Sequence, residues 1–335
     1  MEKKPTHWRL LTKIGVFFLG MVLVFCMLSM AATAIVVDRL FARIETASDP
    51  AAFSYAFVDA SRYPRTSLRF LSGDNELQGY LYEPPDRSAD ALIVTISGYG
   101  GNADSHLPET LYFLDHGFAV FCFDGTGVCK SEGNSRRGLE QSRFDTSAAL
   151  TYLQTTAWSS LPVLLYGHSA GGYAALALAK TDHVAAIVCI AGFDSPLALM
   201  RDAAADYVGP LSAIGYPFLR LQDRLLFGEE ADNSAVTMLE SATVPVLIVE
   251  GTEDMAVKED NRIGSRIDGT NDRITLWTID TPYRNGHATA WLSEEAAAYR
   301  WQDDPTDETP LDPLKANEID PDFLARVAEF YRQAL

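Results

Sequence analysis

Pro162-Val163-Leu164-Leu165-Tyr166-Gly167-His168-Ser169-Ala170-Gly171-Gly172-Tyr173-Ala174-Ala175-Leu176-Ala177 is the stretch from which the rest of the chain can be read. Its first five residues are an apolar run, the pattern of a short strand buried on both faces. Its last six are small helix formers. Between them stands Gly-x-Ser-x-Gly, which places Ser169 on a sharp strand-to-helix turn with a strained backbone. The flanking glycines let that turn pack without a Cβ clash. The helix N-terminus behind it favours developing negative charge. The five-residue pattern alone is common by chance. Its strand–turn–helix setting separates it from a glycine-rich turn with a capping serine and marks Ser169 as a candidate nucleophile.

A serine hydroxyl needs a base to take its proton. In chain order that base should follow an acid, which follows the serine. Of the six histidines, His7, His106, His116 and His183 lie outside that order and His168 lies within the turn itself. His287, in Asn285-Gly286-His287-Ala288, is the one placed after a candidate acid. Asp254 is that acid, in Gly251-Thr252-Glu253-Asp254-Met255 directly after an apolar strand; Glu253 and Asp280 are the alternatives. Acyl transfer also needs donors aimed at the oxyanion. The backbone N–H of Ala170 is one candidate. The second is that of Tyr99 in Ser97-Gly98-Tyr99-Gly100-Gly101, whose glycines permit close backbone approach.

Outward from this centre the chain alternates. Strands are expected at 66–71 and 77–82, joined as a hairpin, and at 91–96, 118–123, 162–166, 185–190, 244–250 and 273–279. Helices are expected at 107–115, 139–155, after Ser169, at 258–267 and from Asp320. Strand alternating with helix predicts a mostly parallel sheet flanked by helices. Residues 195–241 are too long for a strand–strand connection and predict a helical cap; 301–317, with three prolines, predicts an exposed loop.

Asp124-Gly125-Thr126-Gly127 followed by Ser131-Glu132-Gly133 resembles the D-x-G-x-G-x-S loop of the α/β-hydrolases, with three residues rather than one before the serine. Together with Gly167–Gly171, the Gly-Thr-Glu-Asp acid loop and Gly286-His287, the resemblance covers residues 66–335. The chain looks most like the serine aminopeptidase, lysophospholipase and prolyl-oligopeptidase branch. That resemblance implies an α/β-hydrolase fold and attack of Ser169 on an acyl carbonyl. It gives His287 the proton shuttle, Asp254 the orienting of His287, and Tyr99 and Ala170 the oxyanion. It implies no metal or organic cofactor. A carboxylic ester or lipid-like ester is the expected substrate. Peptide hydrolysis is the alternative, with Asp202, Asp206 or Asp223 available to hold a free terminus. A non-catalytic binding protein on the same fold is the reading from another class. Tyr207, Tyr216, Phe218 and Phe227 of the cap either line the pocket or form the cap's own core.

Composition is ordinary for a globular protein: 47% hydrophobic and 21% charged residues argue against disorder. The formal net charge is −18, and removing the net +3 of the first 13 residues leaves −21 on the remainder. Such a surface repels phosphate backbones, which excludes nucleic acid as an expected partner. Residues 14–37 carry no charge over 24 positions, about 36 Å as a helix, against a hydrocarbon core of about 30 Å. The expected organisation is a cytoplasmic tail (1–13), a transmembrane signal anchor (14–37), a juxtamembrane segment (38–65) and an extracytoplasmic catalytic domain (66–335). A cleaved signal peptide ending near Ala32-Thr33-Ala34 is the alternative, and would make the protein secreted.

Overall fold

The computed structural model describes residues 6–85, 87–267, 269–302 and 311–335. A helix α1 (Thr6–Leu40) leads into a hairpin of β1 (Arg65–Ser72) and β2 (Asn75–Tyr82), turned at Gly73 with φ of 57°. There follow β3 (Leu92–Ile96), α2 (Leu107–Asp115), β4 (Ala119–Phe123), α3 (Gln141–Gln154), β5 (Val163–His168), α4 (Ala170–Leu176) and β6 (Val184–Ile190). Helices α5 (Pro196–Val208), α6 (Ser212–Phe227) and α7 (Ala235–Glu240) separate β6 from β7 (Val246–Gly251). Then come β8 (Ile274–Ile279), α8 (Glu294–Trp301), α9 (Pro313–Ala316) and α10 (Pro321–Ala334).

The eight strands form one sheet in the order β1-β2-β4-β3-β5-β6-β7-β8. β2 runs antiparallel to both neighbours, and the other pairs are parallel. Side chains alternate across the pleat, so each central strand feeds two cores. Val163 and Leu165 of β5 enter one with α3, α4 and α7, while Leu164 and Tyr166 enter the other with α2, α8 and α10. This explains why the strands read as unbroken apolar runs. α10 shows the complementary pattern. Asp320 caps it, Pro321 opens it, and Phe323, Leu324, Val327, Ala328 and Tyr331 make one buried stripe at helical spacing.

Two expectations are corrected, and one helix was not foreseen. Residues 258–267 form only a 3₁₀ turn at Glu259–Asn261. Arg262 donates to the carbonyls of Val257, Thr252 and Asp254, and Asn261 is bonded through its side chain to both backbone groups of Ser195. Those tertiary bonds hold the chain in a loop that helix hydrogen bonding would break. α8, not foreseen, is capped by Ser293 and buries Ala296 and Ala297. In the expected loop at 301–317, residues 303–310 lie outside the described residues, but Pro313–Ala316 is the turn α9 with Ala316 buried. The extra residues of the 124–133 loop are accommodated by pairing with the segment after α1: Ile44 N–H donates to Gly127 O, and Cys129 N–H to Ile44 O.

Candidate active site

The parallel strands point their C-terminal ends at one edge of the sheet, where the crossover loops gather. Ser169 stands there between β5 and α4 with φ of 54° and ψ of −118°. A non-glycine residue at positive φ is strained and persists only where its surroundings over-determine it. They do so here: Ser169 N–H donates to Ile190 O at 2.9 Å. The turn is also closely walled. A Cβ on Gly167 would lie 2.3 Å from Gly171 O, and one on Gly171 would lie 2.1 Å from Ile96 O. Both positions therefore require glycine.

His287 reaches this serine from the loop after β8. Its Nε2 lies 2.9 Å from Ser169 Oγ, and its Nδ1 lies 2.7 Å from Asp254 Oδ2. A carboxylate only accepts, so Nδ1 carries the proton and Nε2 is left to accept from the serine hydroxyl. The other oxygen of Asp254 accepts from Ala256 N–H at 2.8 Å and Val257 N–H at 3.0 Å. Asp254 is thus buried yet saturated with donors. The two alternative acids lie elsewhere: Glu253 is exposed, and Asp280 accepts from Thr252 Oγ1 at the surface.

Ala170 opens α4, whose first-turn amides have no partner within the helix. The turn Gly98–Gly101, closed by Gly101 N–H to Gly98 O at 3.1 Å, runs against the serine: a Cβ on Gly98 would lie 3.1 Å from Ser169 Cβ. The arrangement brings the backbone of Tyr99 beside Ser169. Its side chain points outward, and its hydroxyl donates to Leu40 O at the end of α1. Arg136 donates to the same carbonyl at 2.6 Å and to Ala42 O at 2.9 Å, with its guanidinium 4.3 Å from the centre of the Tyr99 ring. Ser48 N–H bonds Gly100 O. Residues 40–48 therefore brace the loop that carries Tyr99. No local sequence signal marks Arg136 for this task, because its partners are backbone carbonyls about 95 positions away.

His168 is a second residue whose part only the fold reveals. Its Nε2 donates to His287 O at 2.9 Å, tying the loop of His287 to the turn of Ser169. Burial, with His287 and His106 nearby, pushes its pKa well below the usual value, so it is held neutral.

An open cleft adjoins this edge on the side of Ala170, Gly98 and Tyr99. Its apolar wall includes Phe41, Ile96, Phe123, Val128 and Leu139. A separate hollow of about 310 Å³ beside Leu150, Trp158 and His183 lies at the opposite ends of the strands, away from Ser169. None of the three candidate terminus-binding aspartates lines the cleft. Asp202 pairs with Arg201, Asp206 with Lys258, and Asp223 faces Glu140. Of the four cap aromatics, Tyr207 is exposed, Phe218 packs on Phe25 and Phe227 stacks on Phe144; none of the four lines the cleft.

Residues 87–221 match the family model described as serine aminopeptidase, S33. The quorum-quenching protein AidA of Acinetobacter baumannii is 29% identical over 167 residues; the match takes in 47% of this chain and 52% of that protein, so the chain spans about half of its length. Among solved structures, the Pyrococcus furiosus esterase Pf2001 superposes with a TM-score of 0.60 at 16% identity, covering 88% of this chain and 98% of that one. Est1E from Butyrivibrio proteoclasticus, bound to ferulic acid, superposes with a TM-score of 0.52 at 18% identity, covering 66% and 91%. Identities this low establish the fold. With the sheet order and the turn after β5, they show that the fold is that of the α/β-hydrolases.

Proposed function

We propose that this protein is a membrane-tethered serine hydrolase that cleaves a carboxylic ester. The observation that carries the reading is the continuous chain Ser169 Oγ–His287–Asp254, with bonds of 2.9 and 2.7 Å. In the proposed mechanism His287 Nε2 takes the hydroxyl proton as Oγ attacks the acyl carbonyl, and Asp254 stabilises the resulting imidazolium. The N–H groups of Tyr99 and Ala170 receive the oxyanion. Collapse expels the alcohol, which takes its proton from His287. Water, deprotonated by the same histidine, then releases the acid from Ser169.

An ester is favoured over a peptide because the cleft wall is apolar and the aspartates that would hold a free amino terminus are engaged elsewhere. The peptidase reading keeps one support, the match to the serine aminopeptidase family model. α1, with 0% of its most apolar window buried, supports a single-pass signal anchor holding the catalytic domain outside the cytoplasm. Secretion after cleavage is the alternative. The expected partners are thus a small ester or lipid-like substrate and the membrane itself, with no nucleic acid and no cofactor.

The test uses the full chain in detergent, since residues 40–48 brace the active-site loop. Turnover of p-nitrophenyl esters, lost in Ser169→Ala by about 10⁴-fold or more, is the expected result. Preference for aminoacyl-nitroanilides would reassign the protein as a peptidase. Equal rates in both proteins would remove Ser169 from the chemistry.

A further inference from the structure

Asp206 and Arg220 are the charges that bracket residues 207–219, Tyr-Val-Gly-Pro-Leu-Ser-Ala-Ile-Gly-Tyr-Pro-Phe-Leu, thirteen positions without a charge in an otherwise acidic domain. This stretch is the tip of the cap, where α5 turns into α6, and it is turned outward. Tyr207 is 89% exposed, Leu211 68% and Ile214 52%, with Val208 and Pro217 also exposed. The charges nearest the tip are engaged in ion pairs: Asp206 with Lys258, and both Arg220 and Arg224 with the single Asp232. A contiguous apolar surface of this kind marks a binding face.

The position of α1 identifies what covers it. α1 packs along α6, and Phe25 meets Phe218 edge-on at 6.4 Å between ring centres. Cys26, Ser29, Met30, Thr33, Ala34 and Val37 form the covered stripe of α1 at helical spacing, while its other faces are exposed. Phe25 lies within the charge-free run, about 18 Å along the helix axis before Val37. A bilayer around residues 14–37 must therefore also meet the cap tip beside them. At its other end α1 delivers Leu40 to Tyr99 and Phe41 to the wall of the cleft.

From this we infer that residues 207–219 are a second membrane-embedded element, and that the site draws an acyl ester dissolved in the bilayer toward Ser169. The inference rests on the hydrolase reading and on α1 as an anchor. The occupant of the tip is lipid hydrocarbon. Binding energy comes from apolar burial rather than from charge, so zwitterionic lipid suffices.

The experiment places the full chain in phosphatidylcholine vesicles carrying acyl-chain nitroxides. An environment-sensitive fluorophore is attached in one protein to Met27→Cys, on the exposed face of α1, and in another to Leu211→Cys, both in a C26S and C129S background. Cys122 and Cys189 are buried and escape labelling. Quenching at both positions is expected. Quenching at position 27 alone overturns the cap insertion, and quenching at neither overturns it together with the anchor. In the same vesicles, Leu211→Asp with Ile214→Asp should lower turnover of a long-chain ester at least tenfold and leave a water-soluble short ester unchanged. An equal fall with both esters means that the tip is structural and overturns the supply route. Absence of turnover of either ester by the unsubstituted chain overturns the hydrolase reading, and quenching then judges the insertion separately.

Discussion

Asp254 and Glu140 are both buried carboxylates, and the protein treats them in opposite ways. Asp254 accepts two backbone N–H groups and the His287 ring. Glu140, 1% exposed at the entry to α3, finds no donor for either oxygen among the described residues and faces Asp223 of the cap helix α6. Burial, reinforced by that second carboxylate, pushes Glu140 well above the usual range, and burial raises Asp223 to about 6. The contrast is one of donors: Asp254 is ringed by N–H groups, whereas burial and a facing carboxylate favour the protonated form of Glu140. One site surrounds its carboxylate with donors beside a histidine. The other sets two carboxylates face to face at the seam between the cap and α3.

Four changes would break or sharpen that comparison. Asp254→Asn should lower kcat by about 10⁴-fold, through loss of the imidazolium partner and of the correct tautomer, while thermal stability changes little. A small kinetic effect would mean that Asp254 is only a loop brace. Asp145→Asn tests a third buried carboxylate, five residues after Glu140, which accepts from Ser72 Oγ, both donors of Thr126 and Gln141 Nε2. The amide cannot accept all four, so denaturant unfolding should show a loss of about 2–3 kcal/mol. Tolerance there would erase the distinction drawn from donors.

His168→Gln should cost about tenfold in kcat, with KM nearly unchanged, by letting the His287 loop shift. His168 also bears on pH. Its folded pKa lies below the unfolded value of about 6.5, so the unfolded chain binds more protons and the native state loses stability as pH falls below about 6.5. The variant should lack that part of the acid loss in a melting series. The smallest effect is expected for Asp223→Asn. A raised carboxylate pKa contributes stability that is present below about 4 and lost as pH rises through about 6. The variant should therefore match the parent at pH 4 and exceed it by about 1 kcal/mol at pH 8, with esterase kcat unchanged. A variant less stable than the parent at pH 8 would show that the charged pair is satisfied after all.

Much of the fold was legible because the central strands are buried on both faces and so read as apolar runs without a helical period. β3, β4, β5, β6 and β7 all lie within about two residues of expectation. The 258–267 segment was not legible, since the bonds of Asn261 and Arg262 that hold it as a loop go to partners fixed by other elements. α8 was missed because a short stretch of alanines between polar residues shows no stripe until a core covers Ala296 and Ala297. In the cap, the sequence marked aromatics without revealing which way they face, and Tyr207 turned out to face outward.

The same division runs through the candidate site. The sequence by itself determined the serine on its strand-to-helix turn and the order serine, acid, histidine, because a strained elbow needs glycines at fixed local offsets and leaves a local mark. Only the tertiary structure set Asp254, rather than Glu253 or Asp280, against the His287 ring, set His168 against His287 O, and brought Arg136 to the end of α1. Those choices depend on where a side chain points after distant strands have paired, and no local pattern of residues encodes that direction.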